Sequence, residues 1–148
     1  MGIIWWLLAV IMAFALAYTM QFTAATLSMG RELSSADSPT GFQDAITPPW
    51  QSKLALLVYL SSVVVVGIIW WRLGWLSALG GAALILFGSS IAKLALPKPT
   101  GNHYRRLLMN YMISRYADYV RDGDVIRADA MKHLLIKAGI DPDETKGR

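Results

Sequence analysis

The sequence has no cysteine, which excludes disulfides, thiolate metal sites and cysteine nucleophiles but leaves the compartment open. Charge is missing from long tracts as well: Ile3–Met20, Leu54–Trp71 and Trp75–Leu96 hold one charged side chain among them, Lys93 near the end of the third. No Gly-rich phosphate loop, nucleophile elbow, HExxH pattern or internal repeat occurs. His103 and His133 stand far apart in sequence, and read by spacing neither has a second His, Cys or carboxylate at metal-ligand distance on its own helix face. Asp118, Asp122, Gly123 and Asp129 align with positions one, five, six and twelve of a calcium-binding EF-hand loop. However, Val120 stands where a third-position oxygen ligand belongs and Asp129 replaces the usual bidentate Glu. A helix stop at Gly123 and a helix start at Asp124 account for the same residues. No catalytic residue, metal or cofactor is assigned, and the expected mode of action is association, not catalysis.

Hydrophobic residues make up 55% of the 148 positions. A soluble domain of that composition would expose far too much apolar surface, and a membrane is the simplest solvent for it. Eighteen helical residues reach about 27 Å, close to the roughly 30 Å of hydrocarbon to be crossed, so each tract is long enough to span. Met1-Gly2 offers no basic residue before the first tract, and Gln21–Thr26 supplies no obvious cleavage context, so the first tract is read as a retained span rather than a signal peptide. The fold class expected is an all-α integral membrane protein with three transmembrane helices, the second and third a tight antiparallel hairpin turning at Gly74, plus a C-terminal amphipathic helical hairpin. The segments read as 1–29, first transmembrane helix; 30–52, polar connector; 53–97, transmembrane hairpin; 98–148, cytoplasmic helical tail.

Basic residues set the orientation. Lys93, Lys98, Arg105, Arg106 and Arg115 precede the first acidic residue of the tail, Asp118, whereas the link between spans two and three holds only Arg72. The positive-inside rule then makes the C-terminal side cytoplasmic and the N-terminus external, as in a bacterial inner membrane. Trp5, Trp6, Trp70, Trp71 and Trp75 would all lie near the outer interface, where an indole finds apolar and wet surroundings together.

Helices in lipid associate through close backbone approach at small residues. Ala9, Ala13 and Ala17 mark one stripe on the first span; Gly74, Ala78 and Ala82, with Ser77 and Gly81 beside them and followed by Gly88 and Ala92, mark another on the third. These faces serve either the chain's own bundle or docking of other membrane subunits. Gln21, Ser61, Ser62, Ser89 and Ser90 are the polar groups of the spans, and a Ser or Thr hydroxyl can bond the carbonyl a turn back in its own helix. In the connector, Phe42, Ile46 and Trp50 recur at four-residue spacing, as in a short interfacial helix broken by Pro48-Pro49.

Pro97 and Pro99 end the third span. The tail then reads as a helix from about His103 to Asp122, capped by Thr100 or Asn102, and a second over Val125–Ala138, capped by Asp124 and stopped by Gly139. The two should fold together, burying Leu134 and Leu135 against Met112, Ile113 or Tyr116, with Leu108 on the same broad face. These six residues are the candidate tail-docking set. Lys93, Lys98, Arg105, Arg106 and Arg115 are candidate contacts to anionic lipid. Nucleic acid is not expected, because Asp118, Asp122, Asp124 and Asp129 break up the positive field. The expected partners are other membrane subunits and membrane lipids, and the expected role is a small accessory or structural subunit of a respiratory, photosynthetic or secretion complex. The alternatives are a homo-oligomeric channel or small transporter component, and an anionic-lipid-binding membrane-surface protein.

Overall fold

The computed structural model describes residues 3–33 and 46–142. Among these residues there are five helices and no strand: α1 Ile3–Leu33, α2 Pro49–Leu73, α3 Trp75–Ala95, α4 Asn102–Arg121 and α5 Val125–Lys137. The first three, of 31, 25 and 21 residues, are long and apolar enough to cross a membrane.

Two boundaries differ from the sequence reading. α1 continues past the expected boundary at position 29 to Leu33, so Gly30–Leu33 are helix and not connector. Nothing between Gln21 and Leu33 breaks a helix, and the hydroxyls of Thr19 and Thr23 donate to the carbonyls of Leu16 and Thr19, both at 2.9 Å, which keeps them compatible with one. α2 starts at Pro49, where the missing N–H is one that a helix start leaves unpaired anyway. Trp50 therefore belongs to the first turn of α2. Of the interfacial helix expected around Asp44, Phe42 and Asp44 lie outside the described residues, and Ile46 is fully buried.

The chain forms two compact units, one of Met1–Ala24 with Pro49–Pro99 and the other of Ala25–Pro48 with Thr100–Arg148. In the first, Gly74 alone separates α2 from α3, in the left-handed region at φ 89°, and its N–H donates to Trp70 O at 3.0 Å to close α2. The two helices pack on each other. Ala9, Val65, Ile69, Ala78 and Ile85 form the core, with Trp5, Leu8, Met12 and Leu16 against it. The contacts fix direction: Trp6 lies beside Gly80, Ala13 beside Gly88 and Gln21 beside Lys93, so α1 and α3 run the same way. α2 runs the opposite way, with its first turn beside Phe22 and Thr23 and its end beside Gly81.

In the second unit, α4 and α5 pack together, each with a buried stripe at helical spacing: Tyr104, Leu108 and Met112 on one, Ala128, Met131, Leu135 and Ala138 on the other. A third stripe comes from the last turns of α1, where Ala25, Met29 and Leu33 are buried. Gly123 at φ 74° and Gly139 at φ 86° end α4 and α5. In each case an N–H one residue beyond the glycine reaches back to close the helix, Asp124 to Tyr119 O at 3.0 Å and Ile140 to Leu135 O at 2.9 Å. Asp124 caps α5, accepting from Arg127 N–H at 3.1 Å. At the start of α4, neither Thr100 nor Asn102 caps; Gly101 occupies that place with no side-chain bond.

The glycines of the first unit are not equivalent. A Cβ at Gly88 would meet Ala13 Cβ at 3.3 Å, an atom fixed to the backbone, whereas one at Gly67 would meet nothing within 4 Å. Gly88→Leu should therefore cost about 1–3 kcal/mol by overpacking, and Gly67→Leu should leave stability unchanged or slightly raised. Thermal unfolding of the two variants in the same detergent checks this; equal midpoints would contradict the seam.

Candidate functional site

The small residues singled out by spacing divide by position. Ala9, Ala13 and Ala17 on α1 and Ala78, Gly81 and Ala92 on α3 are buried, Gly88 is half-buried and Gly74 sits exposed at the turn. Of the two uses open to these faces, the chain's own bundle takes the buried ones. A Cβ on Gly81 would stand 2.9 Å from Ile69 Cδ1, and one on Gly80 would stand 3.1 Å from the ring of Trp6. What remains on the outside is large and apolar. On α2 this includes Leu57, Val63 and Val64, with Trp71 88% exposed at its end; on α3 it includes Leu86, Phe87 and Ile91, with Leu94 at 87%. Water would not tolerate such a surface; hydrocarbon or another helix would.

Several polar groups of the apolar helices bond within their own helix. Ser62 Oγ donates to Val58 O at 2.8 Å, Ser77 to Leu73 O at 3.1 Å and Ser89 to Leu86 O at 2.7 Å. Two glutamines tie helices together at one end of the bundle. Buried Gln51 donates from Nε2 to Thr23 Oγ1 at 3.1 Å, joining α2 to α1, and Gln21 donates to Lys93 O at 3.3 Å, joining α1 to α3. Trp50 lies against Phe22 at the same level, with ring centroids 5.2 Å apart. The spacing of the small residues did not point to this clasp. Its one visible sign is that Gln51, in the first turn of α2, stands at the depth of Gln21.

The basic residues do not act as one set. Lys93 is half-buried and Lys98 exposed, in the first unit. In the second unit, Arg106 is exposed and Arg105 pairs with Glu32 at 3.3 Å. Arg115 donates to Tyr119 Oη at 3.0 Å and stacks over that ring at 5.0 Å. An exposed pair such as Arg105–Glu32 contributes under about 1 kcal/mol. Lys137 has a more specific role, since its ammonium donates to Leu33 O at 2.9 Å, at the C-terminal end of α1 where the helix dipole favours a cation.

The tail-docking set needs correction. Leu108, Met112 and Leu135 are enclosed within the second unit, and Ile113, Tyr116 and Leu134 are half-buried. Their face is occupied by the chain itself, because the tail has an intramolecular neighbour in the last turns of α1, which Glu32–Arg105 and Leu33–Lys137 tie to α4 and α5. The apolar side chains left outward are Val125 at 75% and Ile126 at 84%.

Among the described residues no group of three or more His, Cys, Asp or Glu is placed to hold a cation. The EF-hand positions are taken up otherwise: Asp118 and Asp122 pair with Arg121 at 3.0 and 3.6 Å, and Asp124 holds the α5 start. The reading that His133 has no carboxylate on its own face was mistaken, since Asp129 Oδ2 lies 3.8 Å from its Nε2, four residues back on α5. Both side chains are exposed. Burial pushes the Tyr111 phenol above its usual 10.0, with Arg115 opposing the shift and Tyr119 adding to it. Comparison with family models, with curated proteins and with solved structures finds no match for this chain.

Two outcomes follow from this geometry. Gln51→Leu should lower bundle stability by about 0.6 kcal/mol, the usual scale of an intramembrane hydrogen bond, measurable as a reduced unfolding midpoint in detergent. Burial raises the Tyr111 phenol in the folded chain, so its contribution to stability is complete below pH 10 and is lost as pH rises through its folded value. Helicity followed by circular dichroism should fall on alkaline titration, and Tyr111→Phe should remove part of that fall.

Proposed function

We propose that this chain is a small accessory or structural subunit of a larger membrane complex, of the respiratory, photosynthetic or secretion kind, acting by association. The observation that carries the reading is the contrast between inside and outside in the first unit: small residues and every bonded hydroxyl named above are consumed within the bundle, and large apolar side chains face out. Such a body offers packing surface and no converging chemical groups. In this reading α2 and α3 form an antiparallel hairpin in the bilayer, and α4 and α5 an amphipathic hairpin outside it. Partner helices pack against the outward Leu86, Phe87 and Ile91 of α3, not against the Ala and Gly stripes.

The tail docks its partner through Val125 and Ile126 in place of the buried Leu108, Met112 and Leu135. Orientation follows the basic residues. Lys53 near the start of α2 and Lys93 near the end of α3 share the end opposite Trp5, Trp6, Trp70, Trp71 and Trp75. That end is cytoplasmic, the tryptophan end external, and the compartment a bacterial inner membrane.

A tagged copy purified in mild detergent should bring down foreign membrane subunits in fixed stoichiometry. Ile126→Asp, at a position too exposed to disturb folding, should lower their recovery tenfold or more while leaving helicity unchanged. A symmetric ring of this chain alone, or a lipid-dependent monomer without partners, would contradict the proposal.

A further inference from the structure

A furrow of about 530 Å³ runs along the outward face of α2. Leu56, Leu57, Leu60, Ser61, Val64 and Val65 line it, and Lys53 stands at one end. The residues recur every three or four positions, so the furrow follows the helix axis. From Lys53 to Val65 it covers about 18 Å at about 1.5 Å per residue. One leaflet of the hydrocarbon core is about 15 Å deep, half of roughly 30 Å. The furrow therefore begins at a cation at the polar clasp and stops near mid-bilayer.

That geometry separates two possible occupants. A partner helix crosses the whole membrane and gains nothing from a lysine at one end of a half-length furrow. A phospholipid has one charged head and chains one leaflet long. Among the described residues Lys53 has no hydrogen bond or ion pair, and its side chain is exposed. Trp50, one turn earlier and 45% exposed, marks the interfacial level.

We propose that this furrow seats one anionic phospholipid, its phosphate on the Lys53 ammonium and one acyl chain laid along Leu56, Leu60 and Val64. The ammonium supplies charge but no forked geometry, so it selects anionic over zwitterionic heads without recognising a particular headgroup. The lipid is structural: it fills a concave strip of α2 that lipids free to exchange would cover less completely. The site is independent of any partner subunit, because it lies on the chain's own surface.

The test uses the full chain, reconstituted in vesicles of phosphatidylcholine with one-fifth phosphatidylglycerol, extracted in mild detergent and weighed by native mass spectrometry. The expected result is one retained phosphatidylglycerol per chain in preference to phosphatidylcholine. Lys53→Glu should lower that retention about fivefold or more, the scale of one interfacial charge. Leu60→Trp should fill the furrow and lower it similarly, and Lys98→Glu should leave it unchanged. Both Lys53 and Leu60 are exposed, so helicity serves as the folding control. Equal retention of the two lipids, retention unaltered by Lys53→Glu and Leu60→Trp, or capture of a stoichiometric protein by a photocrosslinker at position 60 in native membranes would each overturn the assignment.

Discussion

Close approach of α1 to α3 at Ala13 and Gly88 is the constraint from which the rest of the first unit follows. Where the surroundings are as apolar as leucine, burying leucine against leucine gains little, and helices adhere by bringing their backbones near. The alanines at 9, 13 and 17 and the small residues at 78, 81, 88 and 92 make that approach possible. Val65, Ile69 and Ile85 fill the space left between the helices, and most of the remaining large apolar side chains face outward. The glutamine clasp at Gln21 and Gln51 adds direction to an attraction that has little of its own, closing one end of the three-helix arrangement.

The same helix that builds this seam also organises the tail. α1, at about 1.5 Å per residue, is about 46 Å long, well beyond the roughly 30 Å of a bilayer core. Its last turns, with their buried stripe of Ala25, Met29 and Leu33, belong to the second unit. A pair of helices as short as α4 and α5 would be marginal alone. With a third apolar stripe and Lys137 on the final carbonyl of α1, they need no external partner to bury Leu108, Met112 and Leu135.

Much of this was legible in the sequence because helices apolar enough to cross a membrane are written by what they omit. The lack of charge marked three helices, the glycines at 74, 123 and 139 marked their reversals and stops, and Asp124 marked a cap. The hydroxyls of Ser62 and Ser89 turn onto their own helices, as local chemistry allows. What could not be read was whatever depends on a distant neighbour. α1 runs through Leu33 and there meets α4 and α5 at Glu32–Arg105 and Leu33–Lys137, neighbours that a reading ending the first helix at position 29 could not see. The same neighbour explains why Leu108, Met112 and Leu135 are covered. Gln51 and Lys137 act through partners 28 and 104 residues away, a separation for which spacing rules have no signal. The Asp129–His133 pair, by contrast, sits at plain helical spacing and was overlooked.

Because the chain has no native cysteine, single cysteines at Val64, Leu86 and Ile91 can each carry one nitroxide spin label, with Ile126 as the reference outside the spans. Collision with dissolved oxygen and with a water-soluble nickel chelate, measured in reconstituted vesicles, then reports the solvent at each site. If lipid is the solvent of the first unit, the three span positions collide freely with oxygen and scarcely with nickel, while Ile126 shows the reverse. Nickel access at Val64, Leu86 and Ile91 equal to that at Ile126 would contradict the account.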